Sequence, residues 1–391
     1  MQRAKEDPRF DGVENVKVRE VVRPGRTALV EQLVADMGRD GLNWTKGWVG
    51  PGGGVRNPLS GTRYHGFNAL RLIHAMRVLG TDDPRFVTMR QANLAHMSVE
   101  PGATPFYIER WKSDKFIVSR STGKPLRPQP RGRDAWARAL RDPDNEVRHT
   151  RSRLVSYFTV YNASQVKGME SLVPTQGEPL RGEGLVDFLE GFSPVPVLET
   201  AGDDAYYSPA EDRIVVPGRR QFHDVGNLAR TLLHEQVHST GAPSRLDRQI
   251  MNRFGSEGYA FEELVAEIGA VLTANEIGCA FPDIGDDATD GHSAYWDSHV
   301  AYIRSWATMA PGDDLVQAVM TASNRAGMAC DWLMGNCFAE PIEAVREGRE
   351  PCLGADERDN PSLGQAAASV THDNPRPDPV PARAEGEPLE H

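Results

Sequence analysis

Apolar positions along this chain recur with two periods. Spacings of three and four mark helices. They run through Leu29, Val30, Leu33 and Val34 over residues 27–37, and through Leu70, Ile73, Met76 and Val78 over 69–79. They recur through Leu228, Leu232, Leu233 and Val237 over 227–240, and through Phe261, Leu264, Val265, Ile268 and Leu272 over 258–277. Gly241 with Pro243 stops the third of these helices and Gly278 the fourth. Shorter or weaker patterns predict helices at 185–189, 297–309 and 315–333. Alternating, β-rich segments predict strands at 105–111, 115–118, 154–165 and 194–198, and a hairpin of 205–209 with 213–217. The mixture gives an α+β fold class.

Composition divides the chain further. A charged arm is expected over 1–24, a first domain over 25–166 with an insertion at 119–153, a linker over 167–184, a second domain over 185–345 and a disordered tail over 346–391. No apolar run is long enough to span a bilayer, and the charged N-terminus has no signal-like apolar core. The four cysteines form no C-x-x-C pair, so a reduced, cytoplasmic setting is expected and a zinc finger is excluded. The net charge of −11 hides an asymmetry: residues 1–170 carry +11 and the remainder −22. The front of the chain is therefore the part expected to meet a polyanion.

The strongest chemical signal lies in the helix over 227–240, which contains His234-Glu235-Gln236-Val237-His238. One turn apart, the two imidazoles can grip one zinc ion, with Glu235 beside the open position as general base. A third ligand is needed. Glu263 and Glu267 share a face of the next helix, so one can ligate while the other steadies a histidine. Glu262 points about 100° away and is expected to be a solvated charge. Tyr259, His292, His299 and Tyr302 are further polar groups that could donate to an oxyanion.

In the first domain, Trp44, Trp48, Arg56, Arg63, Tyr64, Phe67 and Asn68 interleave aromatic, basic and turn residues. Such a stretch suits stacking on unpaired bases; equally, its rings could fill a small core. The Pro/Arg-rich insertion holds nine basic residues between Lys124 and Arg153, read as a mobile loop seeking phosphates or as a solvated linker.

Two stretches carry a family resemblance. Residues 234–241, Arg245-Leu246, Phe254-Gly255-Ser256, Tyr259-Ala260 and Glu262-Glu263-Leu264-Val265-Ala266-Glu267 resemble the zincin-like metallopeptidase domain of ArdC-type antirestriction proteins. The tryptophan pair followed by N-P-x-S-G-x-x-Y-x-G-x-N resembles the N-terminal domain of that family, which binds single-stranded DNA. The resemblance implies a gluzincin-type site with His234, His238 and Glu263 as zinc ligands, Glu235 catalytic and Glu267 supporting. It also implies an edge strand in the 205–217 hairpin for an extended peptide. It directs Trp44, Trp48, Arg56, Arg63, Tyr64, Phe67 and Asn68 to single-stranded DNA, with duplex DNA an open alternative. The insertion departs from the family, whose connection there is often shorter. The expected role is protection of incoming mobile-element DNA. The alternatives are a protective DNA-binding protein with a purely structural zinc site, and a primase-like conjugation protein, after the TraC-like label that the family also bears. No strand-bounded acidic pair for two Mg²⁺ ions supports the last.

Overall fold

The computed structural model describes residues 26–27, 30–31, 52–112, 114–150, 153–170, 172, 180–222, 225–248, 250, 257–279 and 313–349. Trp44, Trp48, His292, His299, Tyr302, the N-terminal arm, most of the helix read at 27–37, the helix read at 297–309 and the tail beyond 349 lie outside these residues.

In chain order the elements are α1 (Gly66–Leu79), β1 (Phe86–Val87), α2 (Met89–Leu94), β2 (Ser98–Val99), β3 (Phe106–Lys112), β4 (Lys115–Ser119), α3 (Arg133–Ala139), β5 (Asn145–His149), β6 (Arg153–Asn162) and β7 (Val166–Lys167). They are followed by α4 (Gly182–Gly191), β8 (Val197–Thr200), β9 (Tyr206–Ser208), β10 (Arg213–Pro217), α5 (Val225–Ser239), α6 (Glu257–Ile277), α7 (Asp313–Leu333) and α8 (Ala339–Arg346). One sheet has the order β1-β6-β3 and another the order β8-β10-β9; β2 pairs with β7 and β4 with β5.

The long antiparallel pair β3–β6 runs from Phe106 opposite Val160 to Lys112 opposite Arg153, with an irregularity between Arg110 and Trp111. Phe106, Ile108 and Val160 on one face of this pair bury against α1, which contributes Leu70, Leu72 and Met76. The same core continues into α6 through Leu264, Val265, Ile268 and Leu272, and into α7 through Val316, Val319 and Met320. On its other side α6 packs Ala266, Ala270 and Ala274 into a second core with α4, β10 and α5. Helix α6 is thus apolar nearly all round, the pattern of a helix enclosed by protein.

Two close approaches fix this arrangement. A Cβ on Gly269 of α6 would lie 2.7 Å from a methyl of Val237 on α5, so only glycine lets these helices meet so tightly. A Cβ on Gly327 of α7 would come within 3.0 Å of the Gly66 nitrogen at the start of α1. Farther along, the Glu276 carbonyl near the end of α6 accepts hydrogen bonds from Gly53 N at 2.8 Å and from Arg346 Nη2 at 2.9 Å. Groups from before α1 and from α8 therefore satisfy the same helix end.

The insertion expected to be a loop is a folded excursion. Lys115 to Ser119 pairs in antiparallel register with His149 to Asn145, and α3 stands between the two strands in sequence. Ile117 and Val118 are buried, and the Gln129 side chain bonds to both the N–H and the carbonyl of Ile117.

Candidate metal centre

Helix α5 carries His234 and His238 on one face, with their Nε2 atoms 3.0 Å apart. Glu263 comes from α6. Its Oε2 lies 3.3 Å from His234 Nε2 and its Oε1 3.6 Å from His238 Nε2. Tetrahedral bonds of about 2.0–2.1 Å place ligand atoms about 3.3 Å from one another. The spacings, taken to the nearer carboxylate oxygen in each case, lie close to that value, and one donor atom from each residue lies within 4.8 Å of the others, so this donor set can hold a divalent ion such as zinc. The expected grouping of His234, His238 and Glu263 is brought together here, 0 %, 13 % and 3 % exposed at their side chains.

Each of these two histidines has a carboxylate beside its far nitrogen. Glu267 Oε1 is 3.7 Å from His234 Nδ1, and Glu262 Oε1 is 3.5 Å from His238 Nδ1. Carboxylates at ion-pair distance there favour the tautomer that would turn Nε2 toward a metal. The placement of Glu262 corrects the expectation of a solvated charge: it is 4 % exposed. The reason is the enclosure of α6, whose side 100° from Glu263 meets Arg248. That guanidinium bonds to Glu262 Oε1 at 2.8 Å, to the Val237 carbonyl at 2.8 Å and to Thr240 Oγ1 at 2.7 Å, tying the end of α5 to α6. Glu235 is buried, and its Oε2 accepts the Tyr207 N–H of β9 at 2.7 Å. Tyr207 is in turn fixed by its hydroxyl, which donates to Asp212 Oδ1 at 2.6 Å, and by Arg245, which reaches both.

The electrostatics call for a cation. Burial, reinforced by the charge of Glu263, pushes the Glu267 carboxyl well above its usual range. Burial lowers the pKa of His234. Burial opposes protonation of His238 as well, but the charge of Glu263 and contact with Glu262 override it and raise that pKa well above the usual value. Among the described residues, Glu267 Oε2 is buried without a hydrogen-bond partner. A bound cation would offset the buried carboxylate charge that contributes to the Glu267 and His238 shifts.

The residues expected to contact DNA are placed differently. Tyr64 and Phe67 are core side chains, 9 % and 4 % exposed, so neither ring offers a face to a base. Asn68 is spent on β3, bonding to the Glu109 carbonyl at 2.7 Å and to its N–H at 2.9 Å. Arg56 bonds to the carbonyls of Gly52 and Gly54, and Arg63 is ion-paired with Glu276. The N-P-x-S-G motif builds a turn: Asn57 Oδ1 accepts from the N–H groups of Leu59 and Ser60. Tyr259 is half-buried on α6.

Comparison with known proteins supplies the rest. Residues 25–161 match the N-terminal domain of anti-restriction factor ArdC, and residues 193–325 match a zincin-like metallopeptidase domain. The chain belongs to the ArdC type. The metal-free crystal structure of the antirestriction ArdC protein from plasmid R388 shares the fold, with a TM-score of 0.50 and 21 % identity, over 83 % of this chain and 98 % of that one. A DNA primase TraC of Escherichia coli is 32 % identical over 301 residues, 76 % of this chain. The chain spans only 26 % of that relative's length, and 18 % of a second TraC's. An uncharacterized Sinorhizobium fredii protein, y4eC, is 26 % identical over 78 % of this chain and 90 % of its own. Within this ArdC-type chain, sequence reasoning missed Glu262, Arg248 and the Tyr207 amide. The available signal was the all-round apolar pattern of α6. No helix among the described residues is long and apolar enough to cross a membrane.

Proposed function

We propose that this chain is a DNA-binding antirestriction protein whose zincin-like domain is a zinc-dependent peptidase. The observation that carries the reading is the convergence of His234, His238 and Glu263 at ligand spacing, with Glu235 on the same helix turn. Zinc, when bound, supplies an acidified water and a Lewis acid for the peptide carbonyl. The chain's own groups do the remainder. Glu235 takes the proton, and the Tyr207 N–H fixes one of its oxygens so that the carboxylate keeps one orientation. Glu262 and Glu267 orient the two imidazoles. The outer edge of β9, anchored through Tyr207, Asp212 and Arg245, offers backbone groups to an extended peptide. DNA binding is supported by the matched ArdC domain and the +11 charge of residues 1–170, and single strands are the proposed form. The role is protection of incoming mobile-element DNA.

A second reading keeps the metal as a structural tie between α5 and α6, favoured by the 1 % exposure of Glu235. Priming is not assigned, because the chain covers about a quarter or less of the TraC relatives. Metal analysis of the purified chain beside His234→Ala tests the site. One zinc per chain, lost in the variant, is expected; equal metal in both overturns it. Transfer of unmodified plasmid into a restricting host then separates the two readings: Glu235→Gln loses protection if proteolysis is required and keeps it if the metal is structural.

A further inference from the structure

The folded excursion β4–α3–β5 carries more positive charge than its own acids can use. Residues 115–150 hold nine Lys and Arg against four Asp and Glu. Glu146 serves Arg148 at 2.7 Å and Arg120 at 3.5 Å, while Asp144 accepts from Ser121 N and Oγ at 2.9 and 3.0 Å. Among the described residues, Lys124, Arg127, Arg131, Arg133, Arg138 and Arg141 form no ion pair, and all six are exposed. A solvated linker would have no need of a scaffold, yet here the connecting segment is pinned. Leu126 N donates to the Ile117 carbonyl at 2.9 Å, Gln129 Nε2 donates to the Leu126 carbonyl at 2.7 Å, and Asn145 Nδ2 donates to the Ala139 carbonyl at 2.8 Å. Ordering these residues costs conformational entropy, and like charges held together repel. A rigid array of unpaired cations fits a polyanion.

An aromatic platform stands where the excursion leaves the main sheet. Trp111 is 46 % exposed, and its indole is held by a hydrogen bond from Nε1 to Glu109 Oε2 at 2.9 Å. The irregularity between Arg110 and Trp111 re-aims this end of β3. Arg110, exposed beside it, also has no ion pair among the described residues. Fixed indole and unpaired arginines are the two parts of a surface for unpaired nucleotides: the ring takes a base face, the cations take phosphates. The expected rings of Tyr64 and Phe67 cannot serve, being buried.

We propose that single-stranded nucleic acid binds along the β4–α3–β5 excursion, with a base stacked on Trp111 and the backbone on the six unpaired cations. This deepens the DNA-binding reading above and rests on it.

The test is titration of the full chain with a fluorescein-labelled oligo-dT over a range of salt concentrations. The comparison is with a variant carrying Arg131→Ser, Arg133→Ser, Arg138→Ser and Arg141→Ser, and with Trp111→Ala. Single-strand affinity falls with salt at roughly 0.7 logarithmic units per phosphate neutralised. The fourfold variant is therefore expected to bind more weakly, with a slope shallower by roughly 0.7 for each phosphate it no longer neutralises. Trp111→Ala should weaken binding at least about fivefold and leave the slope alone. Unchanged melting temperatures show that both variants fold. If the parent binds the oligonucleotide but the fourfold variant keeps its affinity and slope, this surface is wrong and the DNA-binding reading survives. If the parent binds no oligonucleotide, single or double, that reading falls and this inference with it. Equal affinity of the parent for duplex overturns the single-strand assignment.

Discussion

Glu262 and His238 meet side by side, with the carboxylate Oε1 3.5 Å from the imidazole Nδ1, and Arg248 holds the same carboxylate through Nη2 to Oε1 at 2.8 Å and Nε to Oε2 at 3.2 Å. Glu262 and Arg248 extend the candidate metal site by a layer that supplies no ligand atom itself. Removing the charge while keeping the shape isolates that contribution. Glu262→Gln is expected to weaken zinc binding by roughly 10–100-fold. Competition with a chromophoric chelator reads this; the apo-protein's melting temperature should fall as well, because Arg248 loses its buried counter-charge. An unaltered zinc affinity would show that His238 needs no such partner.

Glu235→Gln keeps the volume of the proposed base and removes its ability to take a proton. Zinc stoichiometry and oligonucleotide affinity should match the parent. Peptide cleavage, assayed on casein or on the chain itself, should fall by roughly 10²–10⁴-fold. Cleavage at the parental rate would remove Glu235 from the chemistry.

Gly269→Ala places a methyl 2.7 Å from Val237 where the two helices that carry the site touch. Overpacking of this kind costs about 1–3 kcal/mol, and separation of α5 from α6 pulls His234 away from Glu263. Both melting temperature and zinc affinity should drop. Combining the change with Val237→Ala should recover part of each loss, a favourable coupling in a double-mutant cycle. Strict additivity would mean that the two residues do not collide.

His65, just before α1, sits 3.2 Å from Asp331 on α7, and the hydrogen bond to that carboxylate raises its pKa above 6.5. A histidine that gains basicity on folding binds its proton more tightly in the native state. Its stabilisation is therefore complete below pH 6.5 and lost as pH rises through the elevated folded value. Both groups are more than half exposed, so the effect is small and screened by salt. Asp331→Asn should lower the melting temperature more at pH 5.5 than at pH 8.5. An equal loss at the two values would dissociate the pair from the titration.

Much of the metal centre is legible in the sequence because helical geometry fixes it. A spacing of four from His234 to His238, or from Glu263 to Glu267, is about one turn on any helix. Glu262 escapes such a reading because periodicity shows which face is most apolar, whereas its partner Arg248 comes from a loop between α5 and α6 whose path no local pattern specifies. The aromatic stretch misleads for the opposite reason. Tyr64 and Phe67 look available because their neighbours are polar, but Asn57 spends its side chain on a turn and Asn68 on a strand. The excursion is hidden by its composition: Asn145-Glu-Val-Arg-His149 is a strand with a single apolar side chain, held by pairing with β4.

The core shared by α1, β3, β6, α6 and α7 has a consequence for how this molecule can be taken apart. A cut in the segment 173–179 would sever the two family-matched regions in sequence, yet Leu264, Ile268 and Leu272 would still be seated against Leu70, Met76 and Ile108. The nicked halves should co-elute on gel filtration and part only in denaturant. Either half made alone would carry an uncovered oily flank, so neither should stay soluble without the other.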